Sequence, residues 1–93
     1  MGAIKATERE KRLLQWMPID LMNELVDVLH RHAWLEARIG SREHKHWLLL
    51  VELGFLEAMP LAEDSPLVHS IEVFGAGERY QELPEILKEL NLW

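Results

Sequence analysis

Between Ser41 and Gly54 the chain changes character halfway along one stretch. Arg42, Glu43, His44, Lys45 and His46 come first, and Trp47-Leu48-Leu49-Leu50-Val51 follow. A half-buried strand would alternate polar and apolar residues along its length. A polar front followed by an apolar rear instead suits a helix with one wet end and one end anchored inside. Ser41 reads as the N-cap, because its hydroxyl can accept from an amide of the first turn, and Glu43 suits the positive end of the helix dipole. Gly54 reads as the left-handed residue that closes the helix. The expectation is therefore a helix from Arg42 to about Leu53. Any fold must bury the leucine run at 48–53, which reads as the core side of a helix rather than a ligand box.

The flanking segments punctuate clearly. Thr7 and Glu10 match a capping box, so a first helix is expected over 7–17, ended by Pro18. Pro18 also suits the first position of a second helix. There Met22, Leu25, Val26, Leu29 and Ala33 recur at helical spacing, and the helix is expected to end near His32. Ala33–Ile39 reads as a short further turn or helix stopped by Gly40, completing a helical core over 18–54. Beyond Gly54, Phe55 to Leu61 reads as one strand. Ala62-Glu63-Asp64-Ser65-Pro66 reads as a turn, and Leu67 to Phe74 alternates as a second strand. The pair forms an expected hairpin over 55–74. A last helical segment spans 78–93, with a turn around Glu78–Glu82 and a helix from about Pro84. Its Ile86, Leu87, Leu90 and Trp93 share one side. The 17 leucines favour a helix-dominated chain. The expected class is α+β, mainly α, as a single domain over 1–93.

Three pieces of sequence then carry a resemblance. They are Ser41-Arg42-Glu43-His44-Lys45-His46-Trp47 after Gly40, the step Leu53-Gly54-Phe55-Leu56-Glu57, and the acidic turn leading to Ser70-Ile71-Glu72-Val73-Phe74-Gly75-Ala76-Gly77. The stretch from Met22 to about Leu83 resembles a winged helix-turn-helix domain, as in MarR-like and related transcriptional regulators. The resemblance implies a two-stranded hairpin wing, added N- and C-terminal helices, and a front turn of the 41–54 helix that enters the major groove of double-stranded DNA. Under it, Arg42 would bind guanine or phosphate, Lys45 would act as a point charge on the backbone, and His44 and His46 would donate or accept. Ser41 would offer its hydroxyl and amide to phosphate, and Arg38 would flank. Apart from the resemblance, the stripe of Ile86, Leu87, Leu90 and Trp93 needs a surface to bury against, either the chain's own domain or a second copy in a homodimer. The same domain type also serves as a protein-docking element.

Charge divides these two functions. The formal net charge is -6. Residues 1–47 hold a net +1, and residues 48–93 hold a net -7. Only the neighbourhood of 30–47 could tolerate a polyanion. The expected wing tip carries Glu63 and Asp64, which a minor groove would repel. The first expectation is a DNA-binding transcriptional regulator. The alternative is an acidic protein-interaction module, an adaptor or inhibitor on the same scaffold, that docks on a basic protein. A continuous positive strip around 38–46 would favour DNA, and neutralisation by Glu36, Glu43 and their neighbours would favour the protein partner.

Other chemistry finds little footing. There are no cysteines, which removes disulfides and thiolate chemistry. His30 with His32, and His44 with His46, are two apart and so point to different helix faces, which makes neither pair a chelate. Gly75-Ala76-Gly77 lacks the rest of a nucleotide-binding fingerprint, and no serine has a nucleophile context. Hence no enzyme activity, cofactor or metal is expected. The four tryptophans are expected as core and helix-packing anchors. No apolar run approaches the ~18 residues of a membrane span, so a cytoplasmic location without membrane contact is expected.

Overall fold

Thr7 caps the first helix as expected. In this computed structural model, which describes residues 7–93, its Oγ1 accepts from the Glu10 amide at 3.1 Å, and Glu10 Oε1 accepts from the Thr7 amide at 3.0 Å. The first six residues of the expected 1–93 domain lie outside the described ones. The capping box opens α1 (Glu8–Gln15). After Pro18 the chain turns into α2 (Ile19–Arg31), whose Leu21, Met22, Leu25, Val28 and Leu29 form one buried stripe. His32 closes α2 at φ 53°, in the left-handed region.

The next stretch corrects the expectation of a turn or helix at 33–39. Leu35–Arg38 is a strand, β1, with Leu35 and Ala37 buried and Glu36 and Arg38 exposed. The period is two, and four residues are too few for periodicity to outweigh the helical context on either side. α3 (Arg42–Glu52) then runs as expected from a Ser41 cap, whose hydroxyl accepts from the His44 amide at 3.2 Å. Gly54 sits at φ 88°, the left-handed stop that the sequence implied. Trp47 and Leu50 are buried, but Leu48 is 40% exposed. A helix packed on one side buries only a stripe, so part of the leucine run faces out.

β2 (Leu56–Met59) and β3 (Ile71–Ala76) are antiparallel neighbours in a three-stranded sheet of order β1-β3-β2. The hairpin was expected to close over Ala62–Pro66, with its second strand starting at Leu67. Instead, Leu67–Ser70 curl into turns, with the Ser70 and Ile71 amides both donating to Leu67 O, and pairing begins at Ile71. Pairing continues through Gly75 to Ala76, because β3 is the central strand and bonds to both neighbours. A 3-10 turn (Tyr80–Glu82) leads into α4 (Leu83–Glu89), shorter than the helix expected to run toward Trp93. The described residues are thus α+β and mainly helical, with four α-helices and one antiparallel sheet. No helix among the described residues is long and apolar enough to cross a membrane.

The core lies between the helices and one face of the sheet. Leu35, Phe74 and Ala58 are in register across the three strands, and Leu35 and Phe74 are buried among Trp47, Phe55 and the α2 and α4 stripes. Of the tryptophans only Trp47 is a core anchor. Trp16 is 81% exposed and Trp34 is 66% exposed, which overturns the expectation for these two. Trp93 is partly exposed and stacks on His30, with ring centroids 4.3 Å apart.

Candidate functional site

The front of α3 was the expected contact surface, and its side chains have several fates. Arg42 stays at the surface, but its guanidinium donates to Asp20 Oδ2 and reaches Glu43 Oε1 at 3.4 Å. The hydrogen bond from Arg42 holds the Asp20 carboxyl below its usual range, and the same bond raises Arg42. His44 is not a surface group. It is buried, its Nδ1 accepts from the Gly40 amide at 3.2 Å, and its Nε2 lies 2.7 Å from Glu72 Oε1. An accepting Nδ1 leaves the neutral ring's proton on Nε2, so Nε2 donates to Glu72. His44 therefore fastens the 39–41 turn to β3, and the expected nucleic-acid role for it fails on burial. His46 is half-buried and turns back on its own helix, its Nδ1 lying 2.9 Å from Arg42 O. Ser41 is committed as the cap. Lys45 and Arg38 are exposed and make no ion pair among the described residues.

The surroundings are acidic. Glu24 has its carboxyl pushed up, first by desolvation and then by the charges of Glu43, Asp20 and Glu36. Four carboxylates from α2, β1 and α3 thus share one neighbourhood with Arg42. A solvent-exposed ion pair such as Arg42–Asp20 is weak and screened by salt, so a phosphate could displace the aspartate. It would still meet the other acids within the ~8 Å over which charges are felt at physiological salt. The strip at 38–46 is neutralised rather than continuously positive. Asp20 and Glu24 stand one turn apart on α2, a spacing that marks a shared acidic face, and only the fold brings Glu36 and Glu43 alongside.

The expected pairing residues also divide. Ile86 and Leu87 are 0% exposed and belong to the chain's own core. They cannot contact a second copy, which corrects that expectation; Leu90 is half-buried and Trp93 is taken up by His30. No three His, Asp or Glu side chains converge in metal-binding geometry among the described residues. Compared with known proteins, the chain matches no family model, no curated sequence and no solved structure.

Proposed function

We propose that this chain is an acidic protein-docking domain that binds a basic partner, built on a winged-helix-like scaffold. The observation that carries the proposal is the acidic neighbourhood of Asp20, Glu24, Glu36 and Glu43 around the front of α3, where a DNA reader would present cations. The order of α2, β1, α3, β2 and β3, with β3 central, is compatible with a winged helix. However, only residues 39–41 separate β1 from α3, so α3 lacks the preceding helix of a helix-turn-helix, the one that crosses the DNA backbone. Exposed Trp16, Ile19 and Trp34 supply large apolar contacts of the kind that anchor protein interfaces.

The second reading, DNA binding, is favoured by exposed Lys45 and Arg38 at and beside α3. One pair of measurements separates the two. A decapeptide of arginine is expected to bind at low salt, with affinity falling as salt rises and falling further in a Glu24→Lys/Glu36→Lys/Glu43→Lys variant. A gel shift with duplex DNA is expected to show no complex at ~150 mM salt. A salt-resistant DNA complex that the Arg42→Ala/Lys45→Ala variant abolishes would reverse the assignment.

A further inference from the structure

The sheet has a second face, on which Glu36, Arg38, Glu57 and Met59 are exposed and Ile71 and Val73 half-buried. Leu35 and Ala37 point into the core, so Glu36 and Arg38 lie on the opposite face of β1. In register with them are Val73 and Ile71 of β3, and Met59 of β2 stands beside Val73. Where β1 begins, this face deepens into a groove of about 480 Å³ lined by Trp34, Tyr80, Glu57, Met59, Gly75 and His32. The Trp34 and Tyr80 rings, the His32 imidazole and the Glu57 carboxylate therefore line a single concavity, and among the described residues no Lys or Arg lines it.

The local backbone builds this groove. His32 holds φ 53°, a left-handed conformation that His, Asn and Asp adopt more readily than other side chains, and the turn carries the chain from α2 to Trp34 at the groove wall. Gly75 keeps the floor low: a Cβ there would stand 2.5 Å from Met59 Sδ, so the thioether lies in the space a side chain would fill. Methionine is adaptable and yields to an incoming group. Trp34 buries little of itself in the chain's own core, so its ring remains available for a ligand.

We infer that this groove receives an arginine side chain of the basic partner, its guanidinium lying against Trp34 and Tyr80 and pairing with Glu57. The inference rests on the docking proposal and adds where one cation is read. A guanidinium is planar and weakly hydrated, stacks on aromatic faces and meets a carboxylate through two parallel bonds. An ammonium does only part of this. Charge complementarity supplies the attraction: Glu57 is the ionisable acid of the groove wall, and the chain as a whole is at -6.

The test is a heteronuclear NMR titration of the full chain with the pentapeptide acetyl-Gly-Gly-Arg-Gly-Gly-amide. Its lysine and citrulline counterparts serve as controls. Saturable shifts are expected at the Trp34 indole and the Gly75 amide. Binding should weaken about tenfold in Trp34→Ala and in Glu57→Gln, and about as much for citrulline. The lysine peptide is expected to bind several-fold more weakly. Trp34 is a surface residue, and an unchanged urea midpoint of Trp34→Ala confirms that the variant is folded. Equal binding of citrulline or lysine, or shifts that spare Trp34 and Gly75, would overturn the inference. If the arginine decapeptide binds Trp34→Ala as tightly as the parent, the groove assignment fails while the docking proposal stands. If the pentapeptide binds the groove but the decapeptide ignores the acidic face, the docking proposal fails alone.

Discussion

Arg79 makes more connections than any other charged residue described. Its guanidinium reaches Glu10 in α1, Glu82 at 3.0 Å and the Leu53 carbonyl at 3.2 Å, and it lies 4.5 Å from the Phe55 ring centroid. The Glu10 carboxylate is 5% exposed as a residue, and the Arg79 hydrogen bond holds its pKa below the usual range against the opposing effect of burial. A carboxyl with a depressed folded pKa adds stability above its unfolded pKa of ~4.5 and loses it as pH falls through the folded value. Glu10→Gln should therefore cost about 2 kcal/mol at pH 7 and flatten the stability profile below pH ~4.5, as read from urea midpoints across pH. His32 offers the opposite sign. Its left-handed φ costs a non-glycine residue roughly 1 kcal/mol, so His32→Gly should raise stability by up to that amount, observable as an upward shift in the thermal midpoint. A fall in midpoint would show that the imidazole makes a contribution larger than the strain.

Among the elements, the crossing from α3 to β2 and from β3 to the 3-10 turn brings backbone close to backbone. The Gly77 amide donates to Phe55 O at 3.1 Å, and the Arg79 amide donates to Gly54 O at 2.8 Å. A Cβ on Gly77 would stand 2.6 Å from the Gly54 carbonyl oxygen and 2.7 Å from that of Leu56. Both obstacles are backbone, which can yield only by moving the strand. Gly77→Ala should thus cost about 2–4 kcal/mol. Gly75→Ala meets only the flexible end of Met59 and should cost under ~1 kcal/mol. A paired denaturation series tests the contrast, and equal losses at both positions would contradict it. The same Gly75→Ala variant displaces Met59 into the groove, so it should weaken arginine-peptide binding while remaining folded.

For the whole molecule, charge placement matters more than net charge. Desolvation, and then the carboxylates of α2, β1 and α3, push the folded pKa of Glu24 up, so its ionised form opposes folding. Acidification from neutrality through that raised value should therefore stabilise the protein slightly, before the loss of Glu10 reverses the trend at lower pH. Glu24 is exposed, so solvent screening reduces the effect: Glu24→Gln should gain only a few tenths of a kcal/mol, and added salt should shrink that gain. A gain that persists unchanged at ~0.5 M salt would assign it to relief of desolvation and not to the neighbouring charges. Under the docking proposal, the acidic face carries this small stability cost in exchange for its attraction to a cationic partner.

Local chemistry settled the pieces of this protein that depend on residues a turn or less apart. The Thr7 capping box, the Ser41 cap, the αL stop at Gly54 and the apolar stripe of α2 are all readable from spacing, because each is a hydrogen bond or a helical period within a few residues. Tertiary structure alone decided that 35–38 is a strand, since its hydrogen bonds go to β3, more than thirty residues away in sequence. It likewise took His44 out of the candidate site through Glu72, gave Arg42 to Asp20, and sank Ile86 and Leu87 into the core. The front of α3 looked available because composition records which charges a helix carries. Which opposite charges stand across from them is a property of packing, and a one-dimensional pattern does not contain it.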